Sequence, residues 1–491
     1  MKRKEDGKMA IGYACMVIGE PDTTISSCIL KSATPAKLAE ISMKNLLALE
    51  RMVDYNVFNQ INLFRISSDI IPFASHPVNQ LDWTNLFKEQ LDRIGEKIKQ
   101  SGIRVSSHPG QYTVLNSPIE TVVGNAIEDL IYHGDFMDAL NLDSSHKIIL
   151  HIGGIYGKKP EAIDRFLANY KNLPQNIKNR LVIENDDRSY NIEDVLGISK
   201  KIAIPVVFDN LHHKVNPPDL TDTIKSEKDW IIECSKTWKP KDGNPKIHYS
   251  QSKSKQTPRA HSGTINLREF YIFYQTISEY HIDIMLEVKD KNLSALKCIY
   301  ATSPNLPLKR LEDEWARYKY YVLGQSATIY LAISGLFNEN NLEKNSKEKK
   351  TIEKNSIEKN TMEKNVMAKD LEKFPDNRRE GHGSYLNINT NTHEMILNTN
   401  SNSNELIFRF YELIDTALLL PEEKGAQKNA AQHVWGYMKN TCTMKEKLHF
   451  LKLLLDYDNG KKSISAVKNF LFRETIKQQI PYLTRSHYFY I

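Results

Sequence analysis

The sequence predicts an α/β protein built on a closed (β/α)8 barrel, a TIM barrel, followed by a disordered linker and a small C-terminal helical module. Three observations predict it. Between about residues 9 and 300, eight short runs rich in β-branched residues alternate with stretches of helical periodicity, the pattern of a parallel sheet wrapped in helices. No Gly-x-Gly-x-x-Gly turn follows the first run, which argues against an open dinucleotide-binding sheet. From residue 338 the composition changes abruptly to Asn, Lys and Glu.

The strands are expected at 11–17, 60–66, 103–107, 147–151, 180–183, 205–208, 246–249 and 283–286, each followed by a plausible helix. The helix expected at 117–140 opens on Ser-Pro, and the one at 160–170 carries a proline in its first turn, where no hydrogen bond is lost. A further helix at 308–323 completes a barrel unit of residues 9–325. Over 338–404, Glu-Lys-Asn recurs at 343, 353, 358 and 363 and Asn dominates the remainder. A five-residue period aligns no helical face, and the segment is too poor in apolar residues for a core, so it is expected to be a solvated spacer. Amphipathic stretches at 405–420, 426–440, 444–456 and 463–477 predict a helical unit over 405–491 whose role the sequence does not state.

Bulk properties exclude several classes. The 491 residues are 40% hydrophobic and 26% charged, enough for a sizeable core. Five scattered cysteines form neither a Cys-x-x-Cys pair nor a disulfide framework, which fits a reducing cytoplasm. The charged stretch 1–8 leads into no signal-peptide apolar region, and no run approaches the roughly 18 apolar residues of a membrane span, so a cytoplasmic protein without a membrane partner is expected. A net charge of +6 suits a polyanionic partner without identifying one.

The chemistry sits at the strand ends. His108 closes the third strand, His151 the fourth, and Glu184 follows the fifth. Asp209 and His212 follow the sixth, with His213 as an alternative to His212. Lys246 and His248 alternate on the seventh, His261 lies in the loop after it, and Glu287 ends the eighth. In a (β/α)8 barrel all C-terminal strand ends meet on one rim, so residues spread over nearly 180 positions converge. Five histidines and three carboxylates exceed what one catalytic zinc takes, which points to two or three ions sharing carboxylates. Mixed imidazole and carboxylate donors favour Mn or Zn, whereas Mg prefers an oxygen shell. Glu184 or Glu287 is suited to bridging ions and orienting water. Lys246 is either a buried structural lysine or a charge that steadies a phosphate or carboxylate. Such a rim serves phosphoester hydrolysis or sugar isomerisation, and spacing alone does not choose between them. Trp230, Trp238 and Trp315 are expected to pack helices onto the barrel, and Arg65, Lys158, Lys159, Arg188 and Lys253 are candidate phosphate contacts.

Over residues 9 to 300 the chain resembles the ultraviolet damage endonucleases. The resemblance rests on Gly12-Tyr13, Phe73-Ala74-Ser75-His76-Pro77, Ser107-His108-Pro109-Gly110-Gln111-Tyr112, His151-Ile152-Gly153-Gly154, Glu184-Asn185-Asp186, Phe208-Asp209-Asn210-Leu211-His212-His213, Lys246-Ile247-His248-Tyr249-Ser250 and Met285-Leu286-Glu287-Val288-Lys289. It implies incision of damaged double-stranded DNA immediately 5′ to cyclobutane pyrimidine dimers and 6-4 photoproducts, with action on abasic sites, leaving a 3′-hydroxyl. It implies metal ligation by His108, His151, Glu184, Asp209, His212, His248, His261 and Glu287, with Mn2+ as the usual ion and Zn2+ or Mg2+ as alternatives. It also implies that Glu184, Glu287, Lys246 and His76 form the catalytic set, with Lys246 carboxylated and His76 near the scissile phosphate. Gln111 and Tyr112 would wedge into the duplex, and Tyr13 would line the lesion pocket. The residues after 338 fall outside the resemblance, and protein partners are not implied.

Overall fold

A computed structural model of the chain describes residues 9–219, 225–337 and 401–491. Stretch 1–8 and nearly all of the spacer expected at 338–404 lie outside the described residues. Eight parallel strands close a barrel: β1 (Ile11–Ala14), β2 (Leu63–Ile66), β3 (Arg104–Ser107), β4 (Lys147–His151), β5 (Leu181–Glu184), β6 (Val206–Asp209), β7 (Lys246–Tyr249) and β10 (Asp283–Leu286), with β10 pairing back onto β1. Between β7 and β10 an antiparallel hairpin, β8 (Ser252–Ser254) and β9 (Thr257–His261), stands outside the barrel.

Strand alternation divides each strand between helix layer and barrel interior. Tyr13 and its register partner Phe64 face outward, where the Tyr13 hydroxyl donates to Asn56 on helix Pro35–Asn59. Arg65, one residue on, faces inward and meets Glu287 across the barrel. The interior is layered. At the floor Arg104 donates to Asp283 at 2.9 Å and lies over the Trp238 ring at 5.3 Å. Above it Ile149, Val182, Val207 and Trp238 form a dry plug. The next inward positions are Glu184, Asp209 and His248, so the imidazole and carboxylate groups gather at the C-terminal mouth.

Four expectations shift. The first strand ends at Ala14 because Cys15, at φ 75°, turns the chain. The second begins at Leu63 because Gln60, at φ 58°, caps helix Pro35–Asn59. Arg180 ends helix Gln175–Arg180, its guanidinium donating to the Leu142 and His146 carbonyls, so the fifth strand starts at Leu181 and ends on Glu184 itself. Trp238 closes the barrel floor instead of joining a helix to its outside, donating to the Val206 carbonyl at 2.8 Å.

Helix Leu308–Gln325 links the barrel to the C-terminal helices Ser401–Leu419, Lys424–Trp435, Met444–Asp458 and Ile464–Lys477. Ile407, Phe410, Tyr411 and Ile414 enter the barrel's own apolar core, while Tyr320 and Leu323 of the linking helix join a second core with Val434, Phe450 and Phe470. Among the described residues no helix is long and apolar enough to cross a membrane.

Candidate metal centre at the barrel mouth

Glu184 is the hub of the mouth. It is 1% exposed. His108 Nε2 lies 3.2 Å from its Oε2 and His248 Nδ1 lies 2.8 Å from its Oε1, while His151 and His212 each approach to 3.8 Å. The donor atoms of His108, His151 and Glu184 lie within 4.8 Å of one another, as do those of Glu184, Asp209 and His248. The two triplets share Glu184. Glu287 joins through His248 at 3.3 Å, and His261 lies 3.8 Å from Glu287. The eight residues expected to converge therefore do so, drawn from β4 to β7, from β9 and from the segments that follow β3, β6 and β10.

Local structure explains their aim. Asp209 caps helix Asn210–Val215: its Oδ1 accepts the His212 backbone N–H at 2.7 Å, which sets His212 one turn away over the mouth. His213 instead points at Phe208 and Trp230, with ring centroids 5.1 and 6.3 Å away. Neighbouring strand ends are braced by side-chain amides that the sequence did not single out. Asn185 exchanges two bonds with the Asp209 backbone, and Asn210 exchanges two with Ser250. Their Glu-Asn and Asp-Asn dipeptides at strand ends were the available signal. His261 sits at the end of β9, whose register partner is Ser252, so the hairpin and not a free loop carries it to Glu287.

The electrostatics are those of a cation-seeking site. Burial works to raise the Glu184 carboxyl, yet the His248 and His151 imidazoles and the bonds from His108 and His248 hold it well below the usual carboxylate range. Burial, with the Glu184 and Glu287 charges, raises Asp209 despite His212. Against burial, Asp209, Glu184 and Glu287 push His212 up to about 9. The carboxylates thus keep a proton on His212, where a metal ion would take its place. Asp209 Oδ2, His248 Nε2 and His151 Nδ1 are buried with no hydrogen-bond partner. Orphaned acceptors in a mixed imidazole and carboxylate cluster fit divalent cations.

Lys246 lies on β7 two residues below His248, 2% exposed, opposite Asp283 in register. Burial and the nearby Arg104 and Arg65 push its ammonium well down from the usual lysine range. Arg65, expected among the surface phosphate contacts, is a mouth residue paired with Glu287. An inward strand position cannot be told from an outward one by residue type alone. Lys158 pairs with Glu161 and Lys159 with Asp194, both at 2.8 Å; Arg188 lies 3.6 Å from Asp187, and Lys253 is exposed on β8.

The rim loops stand above this cluster. Gln111 and Tyr112 are exposed at the tip of the loop after β3, Tyr112 at 81%. His76 is exposed in the loop after β2, its Nδ1 accepting from the Val78 N–H at 3.0 Å, apart from the imidazole and carboxylate cluster. Asp129 ties the two loops together, accepting from Ser75 at 3.0 Å and Thr113 at 2.5 Å. Tyr13 departs from its expected place in a lesion pocket. It is fully buried between strand and helix because it is an outward position of β1, while Gly12 takes the inward one against the Leu63 backbone.

Comparison with known proteins gives a consistent answer. Residues 11–308 match the family model described as UV-endonuclease UvdE, and residues 389–491 match one described as a protein of unknown function, DUF1722. A UV DNA damage endonuclease of Clostridium perfringens is 44% identical over 319 residues, 64% of this chain and 76% of that protein. One of Bacillus cereus is 36% identical over 279 residues, 56% of this chain and 86% of that protein. The crystal structure of SacUVDE aligns over 62% of this chain and 99% of that one, at 38% identity and a TM-score of 0.56.

Proposed function

From the premise that the chain belongs to the UV-endonuclease UvdE family, and so is an endonuclease of ultraviolet-damage repair acting on DNA, we propose that it hydrolyses the phosphodiester immediately 5′ to the lesion. The lesions are cyclobutane pyrimidine dimers and 6-4 photoproducts, with abasic sites as further substrates. Water adds across the P–O bond, leaving a 3′-hydroxyl upstream and a 5′-phosphate on the lesion strand. Family membership favours this over sugar isomerisation on the same kind of rim.

The observation that carries the reading is Glu184, shared by two donor triplets and surrounded by orphaned buried acceptors. His108, His151, Glu184, Asp209, His212, His248, His261 and Glu287 would hold two or three divalent ions, Mn2+ first, with Zn2+ or Mg2+ as alternatives. Bound there, such ions lower the pKa of water and neutralise charge on the phosphate and the leaving oxygen. Glu184 and Glu287 orient the attacking water. Lys246, held toward its neutral amine between Arg104 and Arg65, is the residue suited to carboxylation, which would replace repulsion from two guanidinium groups with attraction. His76 donates to the scissile phosphate when the duplex lies on the rim. Gln111 and Tyr112 enter the stack where the damaged bases leave it, at a cost of a few kcal/mol per unstacked step that is least where a lesion has already weakened pairing. The same reading divides the chain into a catalytic unit of residues 9–325, a spacer of 338–404 and a helical unit of 405–491, and places it in the cytoplasm at the nucleoid.

Glu184→Gln and His108→Ala test the site. Each is expected to lose bound metal by elemental analysis and to lose nicking of irradiated plasmid by about a hundredfold or more, with the circular dichroism spectrum retained. Full nicking activity in both variants would remove the cluster from the mechanism.

A further inference from the structure

The loop that follows β4 holds an aromatic side chain in a backbone conformation that such side chains avoid. It runs on from the metal-site residue His151 through Gly153-Gly154-Ile155-Tyr156-Gly157. The Lys158 N–H donates to the Ile155 carbonyl at 3.0 Å, closing a four-residue turn whose central residues, Tyr156 and Gly157, stand at φ 47° and 82°. Turns with both central residues at positive φ favour Asn-Gly, and a bulky side chain is strained there. The strain is held by neighbours on both sides. Asn116, in the loop after β3, donates to the Gly154 carbonyl at 2.7 Å, and the Tyr190 hydroxyl, beyond β5, donates to the same oxygen at 3.1 Å. Arg165 lies 5.5 Å from the Tyr156 ring centroid and is itself fixed, donating to the Asn116 carbonyl at 2.9 Å. A side chain at Gly154 would meet the Tyr156 ring at 3.2 Å, so this glycine leaves the ring its room.

Held in this way, the ring is still open to solvent. Among the described residues, Tyr112 and Tyr156 are the tyrosines left exposed on loops that follow barrel strands, at 81% and 46%, and Ile155 beside Tyr156 is 40% exposed. Strands β3 and β4 pair directly, so the two tyrosines stand on adjacent loops of the mouth. A strained residue that its surroundings over-determine marks a functional position. Tyr13, expected to line the lesion pocket, is buried behind β1, which leaves that task open to another aromatic side chain of the mouth. An exposed ring on a surface that receives DNA stacks on bases that have left the duplex, and it does so with any base, since every base has a π-face.

We propose that Tyr156 is the residue on which a base displaced by Gln111 and Tyr112 stacks, with Ile155 extending its apolar seat. The inference rests on the endonuclease reading and deepens it: two tyrosines on neighbouring loops divide the recognition of damage, one entering the duplex and the other receiving a base that leaves. Stacking of this kind requires a base free to leave the helix, so it favours a duplex that a lesion has already weakened.

The test is steady-state incision, by the full chain and by Tyr156→Asn and Tyr156→Phe, of an end-labelled duplex carrying one cyclobutane dimer. Tyr156→Asn supplies the Asn-Gly pair that the turn favours, so it is expected to keep its metal content and to melt no lower than the wild type in calorimetry. Its KM for the damaged duplex is nevertheless expected to rise about tenfold or more at nearly unchanged kcat, the signature of lost binding. Tyr156→Phe keeps the ring and is expected to keep the wild-type KM. An unchanged KM in Tyr156→Asn would overturn the proposal, as would an equal rise in Tyr156→Phe, a fall in kcat alone, or a lower melting temperature in Tyr156→Asn, which would make the residue structural. Wild-type protein that is folded and metal-loaded yet cuts no damaged duplex would remove the endonuclease reading and this inference with it, whereas wild type that cuts beside an unaffected Tyr156→Asn would remove this inference alone.

Discussion

Glu184 holds an ionised carboxylate in a buried place only because imidazoles surround it. The balance among its neighbours has a measurable consequence. A metal ligand must be deprotonated, and His212 in the metal-free site keeps its proton up to about 9. Metal uptake near neutrality therefore displaces that proton, so affinity is expected to rise about tenfold per pH unit between about pH 7 and 9 and to level above it. Competition with a chelating dye measures this, and a flat profile across that interval would take His212 out of the ligand set. At this scale the sequence was informative wherever a ligating side chain closes a buried strand. His108, His151, Glu184 and Asp209 follow apolar runs whose ends a barrel brings to one rim. It was uninformative about facing. Arg65 reads as a surface cation and is a mouth residue paired with Glu287, whereas Tyr13 reads as a pocket residue and is bonded outward to Asn56.

Elements set the reach of the site beyond the metal cluster. The loops after β2 and β3 carry His76 and Gln111-Tyr112, and Asp129 on helix Glu120–Ala139 accepts from both through Ser75 and Thr113. Cutting that tie should misplace the loops without touching a ligand. Asp129→Ala is expected to keep its metal content and lose roughly tenfold to a hundredfold in incision of damaged duplex, the scale of a displacement of about an ångström. Unchanged incision would show that the tie does not position the loops. The barrel strands were legible because four-residue runs such as Leu-Val-Ile-Glu are apolar on both faces before their polar end. The β8 and β9 hairpin was not, since three to five residues rich in Ser, Thr and Lys, exposed on both sides, carry no alternation to read. Strand bounds slipped, the first strand's end at Cys15 and the second's start after Gln60, where positive φ ended elements that their residue types would have continued.

At the level of the whole molecule, the C-terminal helices are packed into the barrel unit. Ile407, Phe410, Tyr411 and Ile414 share its core, Asp415 lies 2.9 Å from Lys297, and Arg268 pairs with Glu405 and Glu412. A chain ending after residue 337 would expose that apolar surface. It is expected to melt at a lower temperature than the full chain while retaining its metal, as followed by calorimetry and elemental analysis. An unchanged melting temperature would mean that the helices merely rest on the barrel. Periodicity made these helices visible in the sequence, but not their docking, because an amphipathic face does not name what it packs against. The central claim is that the mouth cluster cuts DNA beside a lesion, and the most direct test is to map the product from an end-labelled duplex carrying one defined cyclobutane dimer, with Mn2+ and with chelator, against its undamaged twin. One metal-dependent cut immediately 5′ to the dimer, ending in a 3′-hydroxyl, is the predicted result; cutting of both duplexes alike, or none by folded and metal-loaded protein, would contradict it.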